Sequence, residues 1–299
     1  MPANWKSVGR IWLLPMGGLI VAGLAIMILV SLWPGSWTWL KALDTMQAGM
    51  LASLVAGLFT PVGALPILLM RRISQRTEDT LMGFGAGVML AASAFSLARP
   101  AVQEAETLVG GTALALAVVA TGIVIGGLLI MAIEQWLPHE HFVLGKRSGA
   151  DSSKLRRSWL FIFAITIHNL PEGLAVGIGY GAGDTQAGLA LTLGIGLQNL
   201  PEGLIVALGL VSVGYGRGVA FLLAFCSGLV EPLGGVLGAV AVALAQALLP
   251  WGLAFAAGAM LFVISHEIIP ESHRQGHERY ATMGVLSGFT LMLMLDAVI

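Results

Sequence analysis

Long apolar stretches separated by short polar breaks occupy almost the whole chain. Each stretch is close to the roughly 20 residues that an α-helix needs to cross about 30 Å of hydrocarbon. The nine stretches cover residues 11–33, 46–70, 80–99, 108–134, 158–182, 187–211, 219–243, 251–270 and 280–298. None shows the alternation, about ten residues long, of a transmembrane β-strand. The pattern therefore predicts an all-α polytopic membrane protein with nine spanning helices.

The first stretch has the basic flank of a secretion signal, because Lys6 and Arg10 precede it. Its apolar run from 11 to 33 is longer than the roughly 7–15 residues of a signal-peptide core. No clear small-residue cleavage site follows it. We expect it to remain in the protein as a membrane helix.

Composition agrees with the pattern and removes several classes of function. The chain is 57% hydrophobic and 10% charged, whereas soluble domains are about 25% charged. A net charge of −1 argues against a nucleic-acid binder. The single cysteine, Cys226, excludes a disulfide framework and any pair of cysteines for a metal site. No nucleotide-binding loop is present, so we expect no nucleotide partner.

Lysine and arginine positions predict the orientation of the helices. If the N-terminus is cytoplasmic and nine helices alternate, thirteen of the fifteen basic residues fall inside, and only Lys41 and Arg99 fall outside. Cytoplasmic loops of membrane proteins carry such an excess. The sequence therefore predicts a cytoplasmic N-terminus, an external C-terminus and a polar cytoplasmic loop at about 135–157.

A seven-residue motif occurs twice within the apolar stretches. Residues 168–174 read HNLPEGL and residues 198–204 read QNLPEGL, so six of seven positions are identical. Helical rise places His168 about 15 Å and Gln198 about 16 Å from opposite membrane surfaces. The prolines, Pro171 and Pro201, each remove one backbone hydrogen bond and should kink their helices.

Three carboxylates share this midplane depth: Glu172, Glu202 and Glu231. Each costs about 2.5–3.5 kcal/mol in hydrocarbon, and together they repel one another. A bound cation offsets both penalties. Helical spacing supports this reading, because His168 and Glu172 share one helix face, as do Gln198 and Glu202. The alternative is a purely structural role, in which proline and glycine shape the helices and the amides hydrogen-bond between them. That role can account for a single motif, but it accounts less well for two copies at the same depth.

The doubled motif resembles that of the ZIP family of divalent metal transporters, and in particular its bacterial branch. Residues 265–271 (SHEIIPE) also match that family. The resemblance implies an eight-helix transport domain with inverted symmetry over residues 46–299, preceded by an additional helix and outer linker within residues 1–45. It further implies a homodimer in the bacterial inner membrane.

The resemblance also implies a two-metal centre between the fourth and fifth core helices. The first position would use His168, Glu172, Gln198 and Glu202, with Met89 nearby. The second would use Asn169, Glu172, Asn199, Glu202 and Glu231, with Glu172 and Glu202 bridging. Met89 is either a ligand or a packing residue. Asn199 departs from members that have aspartate there, and a neutral amide attracts a second ion less strongly.

The ligand types and the flanking residues suggest the ion and its route. One imidazole, three carboxylates and three amides suit Zn²⁺ first, and also Cd²⁺, Fe²⁺, Mn²⁺ and Co²⁺. Exit or regulatory metal contacts are expected near the cytoplasmic face, and Asp296 is expected at the external entrance. The exit candidates are His139, His141, His266, Glu267, His273 and His277.

We therefore expect uptake of divalent metal into the cytoplasm by alternating access, with an elevator-like movement implied by the resemblance, and no enzymatic activity. A selective channel would use the same ligands, and a metal sensor would need no transport. An intramembrane metalloprotease would require HExxH, but residues 266–270 read HEIIP and lack the second histidine.

Overall fold

The structure, a computed structural model, describes residues 43–69, 74–136, 169–183, 185–212 and 214–298. Within these ranges the chain is almost entirely helical and contains no β-strand. The helices are α1 (Thr45–Ala64), α2 (Gln75–Ala91), α3 (Arg99–Val109), α4 (Thr112–Trp136), α5 (169–181), α6 (Thr185–Ser212), α7 (Arg217–Gly228), α8 (Glu231–Leu244), α9 (Leu249–Val263), α10 (Ile269–Ser272) and α11 (Glu278–Val298).

Several of these helices join end to end into longer spans. A π-helical segment, Ala92–Ala98, connects α2 to α3, and a second one, Ile264–Ile268, connects α9 to α10. Short 3-10 turns extend α1 over Leu65–Leu68 and precede α9 over Gln246–Leu248. The second π-helical segment contains His266 and Glu267, which places a motif predicted from the sequence in an irregular part of its helix.

Seven segments of the described residues are long and apolar enough to cross a membrane. They coincide with the predicted second, third, fourth and sixth to ninth spans. The predicted span 158–182 is described from residue 169 onward and is helical there to residue 181. The predicted span 11–33 lies outside the described residues. The prediction of an all-α polytopic membrane protein is confirmed.

The third span is longer than its apolar stretch predicted, since it runs from Gln75 to Val109 rather than over 80–99. The side chain of Ser74 caps its start by accepting a hydrogen bond from the Thr77 amide at 3.2 Å. Gly110, at φ 71°, terminates it in the left-handed conformation. Capping residues therefore set the ends of this helix, and Arg99 lies within it.

Helix pairing divides the described part of the bundle. Helix α1 packs along α6 and α8, whereas α2 pairs with α11 and α4 pairs with α9. Glycines make these contacts close: a methyl group on Gly83 or Gly87 of α2 would collide with backbone carbonyls of α11. Gly234 and Gly235 of α8 are equally close to α5 and α1. These glycines therefore allow close packing of the helices.

Candidate metal centre

The predicted midplane residues meet where α5, α6 and α8 converge. Asn169 and Glu172 come from α5, and Glu231 is the first residue of α8. Helix α6 contributes Gln198 and Asn199. All five side chains are at most 1% exposed. Glu202, one turn further along α6, is partly buried.

The glycine of each motif allows a neighbouring helix to approach its glutamate. A methyl group on Gly173, next to Glu172, would collide with the backbone carbonyl of Glu231 on α8. A methyl group on Gly203, next to Glu202, would collide with the carbonyl of Thr60 on α1. In both repeats, therefore, the absence of a side chain on the glycine allows the backbone of a neighbouring helix to contact the motif.

Two amides of α6 hold the carboxylates of the other two helices. Gln198 Nε2 donates to Glu172 Oε1 on α5, and Asn199 Nδ2 donates to Glu231 Oε1 on α8 at 2.7 Å. Asn199 Nδ2 also donates to the carbonyl of Ala56 on α1 at 2.9 Å. Since the Glu231 carboxylate and the Ala56 carbonyl both accept, the nitrogen of Asn199 must face them, while its Oδ1 accepts from Gln198 Nε2 at 3.4 Å.

Several buried polar atoms at this junction have no hydrogen-bond partner among the described residues. They are Glu172 Oε2, Glu231 Oε2, Gln198 Oε1 and both side-chain polar atoms of Asn169. Buried polar groups are usually paired, so such a cluster needs an explanation. Four of these five atoms are oxygens that can act as metal ligands.

Charge at the junction gives a second reason to expect a cation. Glu172 interacts electrostatically with both Glu202 and Glu231, and these like charges repel one another. Among the described residues, however, no three His, Cys, Asp or Glu side chains lie close enough to hold a metal ion. A metal site at this junction would therefore need amide oxygens, or His168, which lies outside the described residues.

The interruption nearest the site is not at either motif proline. Helix α6 runs unbroken from Thr185 to Ser212 through Pro201, so the kinks expected at Pro171 and Pro201 stay predictions. The helical path instead breaks into a turn at Leu229 and Val230, which places Glu231 in the first turn of α8. A helix N-terminus stabilises a carboxylate. The Glu231-Pro232 pair is a sequence signal for this helix start, because proline favours the first turn of a helix.

Met89 lies in the main apolar core, 3% exposed, together with Ala52 and Ala56 of α1. Such an apolar environment is the one expected if Met89 is a packing residue. A ligand role for Met89 stays a prediction.

The predicted exit residues are engaged in different local contacts. His266 is exposed and its ring stacks on Phe262, with centroids 5.0 Å apart. His273 uses both ring nitrogens, because Nδ1 lies 3.0 Å from the Ile269 carbonyl and Nε2 lies 3.1 Å from Thr282 Oγ1. These contacts join α10 to α11, and His139 and His141 lie outside the described residues.

Two further polar contacts tie the N-terminal part of α2 and the π-helical segment Ala92–Ala98 to the two ends of α11. His277 Nδ1 lies 3.0 Å from Oδ2 of Asp79, whose side chain is 1% exposed. Near the other end of α11, Asp296 accepts a hydrogen bond from Ser96 Oγ at 2.7 Å. His277 and Asp296 are candidate site residues in the sequence, but their partners Asp79 and Ser96 are not predictable from it, since nothing in the local pattern indicates which helices meet.

Comparison with known proteins identifies the family. The model of the family described as ZIP zinc transporter matches residues 139–296. The chain is 46% identical over 251 residues to zinc transporter GufA of Myxococcus xanthus, covering 84% of this chain and 98% of the relative. It is 49% identical over 238 residues to zinc transporter ZIPB of Bordetella bronchiseptica, covering 79% and 76%.

A more distant match is zinc transporter ZIP11 of Homo sapiens, which is 34% identical over 317 residues, covering 79% of this chain and 93% of the relative. The matched family region includes both copies of the repeated motif as well as the SHEIIPE segment. The resemblance stated from these motifs is thereby confirmed, and the chain belongs to the ZIP zinc transporter family.

Proposed function

We propose that this protein carries zinc across the membrane into the cytoplasm through the junction of α5, α6 and α8. The observation that supports this most directly is the cluster of buried oxygens on the repeated motif and on Glu231 that have no hydrogen-bond partner among the described residues. Desolvated oxygens of this kind are costly unless a ligand binds them. The relatives named above are zinc transporters, which favours zinc as the substrate.

The proposed ligands divide between two positions. His168, Glu172, Gln198 and Glu202 form the first, and Asn169, Asn199 and Glu231 join the two glutamates in the second. This set contains nitrogen and oxygen donors but no thiolate. It therefore accommodates Cd²⁺, Fe²⁺, Mn²⁺ and Co²⁺ as well as Zn²⁺.

Helix pairing favours a carrier in which one group of helices slides against another. Glycine contacts tie α1 to α6 and α5 to α8, and all four of these helices contribute to or contact the centre. Helices α2 and α11 pair most extensively with each other, as do α4 and α9, while α2 also packs against α6. A group built around the site would therefore slide along the contact between α2 and α6. The alternative is a selective channel with the same ligands.

The remaining features of the proposal concern orientation and assembly. The basic residues support a cytoplasmic N-terminus and an external C-terminus, and the similarity to bacterial zinc transporters supports an inner-membrane location. Ions would enter near Asp296 and leave near His266 and Glu267. Residues 46–299 would form the transport domain, residues 1–45 would add a helix outside it, and two copies would assemble as a homodimer.

Zinc flux into proteoliposomes tests the site. Glu172→Ala should abolish saturable uptake, because it removes the carboxylate shared by both positions. Glu104→Ala is the matched control, since Glu104 is exposed on α3 and should transport normally. Uptake by Glu172→Ala at the wild-type rate would show that the centre lies elsewhere. Counterflow of labelled zinc separates a carrier, which exchanges ions across the membrane, from a channel.

A further inference from the structure

The hydroxyl of Thr60 on α1 differs from the other buried serine and threonine hydroxyls of the described helices. Thr60 is 1% exposed, and its Oγ1 has no hydrogen-bond partner among the described residues. Buried hydroxyls in helices normally donate to the carbonyl four residues earlier. Ser53, Ser93 and Thr192 do so here at 2.7–2.8 Å.

The usual acceptor of Thr60 is occupied by a residue of the proposed metal centre. Four residues before Thr60 stands Ala56, whose carbonyl accepts a hydrogen bond from Asn199 Nδ2 at 2.9 Å. In an α-helix the same carbonyl also accepts the backbone N–H of residue 60. A carbonyl oxygen has two lone pairs, so these two bonds fill it. The Asn199 amide therefore displaces the Thr60 hydroxyl from its own helix.

Packing keeps Thr60 close to the residues that bear the carboxylates. Its carbonyl touches Gly203, the neighbour of Glu202 on α6, and its Cβ lies 3.1 Å from the position of a methyl group on Gly228. Gly228 is one turn before Glu231. One turn earlier on α1, a methyl group on Gly57 would lie 3.4 Å from the carboxyl carbon of Glu231. This face of α1 thus borders the second proposed metal position.

We propose that Thr60 is a positioning residue of the metal centre, whose hydroxyl hydrogen-bonds an oxygen ligand of the ion held by Asn199, Glu202 and Glu231. This inference rests on the proposed function. Glu231 Oε2 likewise is buried and has no hydrogen-bond partner in the described part of the chain, so a bound ion with its ligands would satisfy both atoms. Groups that orient metal ligands in this way commonly change metal affinity by 10–100-fold when removed.

The main test compares two substitutions at Thr60 with a control elsewhere. Thr60→Val keeps the shape and removes the hydroxyl, so the zinc Kd in detergent and the KM of uptake should each rise about tenfold. Thr60→Ser retains the hydroxyl and should remain near wild type. Thr192→Val removes an equally buried hydroxyl that is satisfied within α6, and zinc affinity should not change. A wild-type Kd for Thr60→Val, or equal impairment in Thr60→Ser, would overturn the inference.

A double substitution tests whether Asn199 excludes the Thr60 hydroxyl from the Ala56 carbonyl. In Asn199→Asp the carboxylate cannot donate to the Ala56 carbonyl, so Thr60 regains that acceptor. Adding Thr60→Val in this background should then raise the Kd less than threefold, compared with about tenfold in the wild type. Equal tenfold losses in both backgrounds would refute the competition for Ala56. Transport by Glu172→Ala would instead refute the proposed function, so the two failures are distinguishable.

Discussion

Asn199→Asp is the most informative single substitution, because it exchanges a hydrogen-bond donor for an acceptor without changing the size of the side chain. In the protein as it stands, Asn199 Nδ2 ties α6 to α1 through the Ala56 carbonyl and to α8 through the Glu231 carboxylate. Aspartate can donate neither bond when ionised. It also places a new carboxylate beside Glu231, so the metal-free protein should lose stability.

The expected loss can be estimated from the two bonds. The bond to the neutral carbonyl contributes about 1 kcal/mol, and the bond to the carboxylate contributes about 1.5–3 kcal/mol. Their sum is about 2.5–4 kcal/mol. Asn169→Asp is the matched control, because Asn169 is 1% exposed in the same centre and its amide makes no hydrogen bond among the described residues. Both variants bury an added charge, and only one loses donated bonds.

Thermal unfolding in detergent measures the difference. With chelator present, Asn199→Asp should unfold at a lower temperature than Asn169→Asp and wild type. Zinc should then stabilise Asn199→Asp more than it stabilises wild type, since a cation converts the repulsion between carboxylates into ligation. A tenfold tighter Kd adds about 1.4 kcal/mol at a fixed, saturating concentration of zinc. Equal unfolding temperatures for the two variants in chelator would refute the reasoning.

The hydropathy pattern located the membrane spans because transfer into hydrocarbon depends mainly on local composition. It did not locate the end of the third span, since Ser74 and Gly110 act through capping and backbone geometry rather than through hydropathy. The break before Glu231 and the two π-helical segments were missed for the same reason. They are local adjustments inside continuous apolar stretches.

The repeat predicted that side chains of α5 and α6 would meet, because two nearly identical motifs lie at the same predicted membrane depth. The partners of its side chains could not be predicted in this way. Asn199 donates to Ala56, and Thr60 has no hydrogen-bond partner among the described residues, because α1 lies directly against α6. That contact exists because Gly203 has no side chain. No spacing rule within one helix reveals which backbone will fill the vacant space.

Two further outcomes follow from the packing. Gly203→Ala should destabilise the protein by about 1–3 kcal/mol, since the added methyl group collides with the Thr60 carbonyl. Gly85→Ala is the control and should leave the stability unchanged, because the space around Gly85 is open. Equal unfolding temperatures for the two variants would contradict the packing argument. His277→Ala should cost about 1–3 kcal/mol, because it leaves one oxygen of the buried Asp79 carboxylate without its partner. If that loss reflects the lost pair, His277→Ala should cost little in an Asp79→Ala background. An unchanged unfolding temperature combined with a raised KM for zinc would instead favour a direct metal contact by His277.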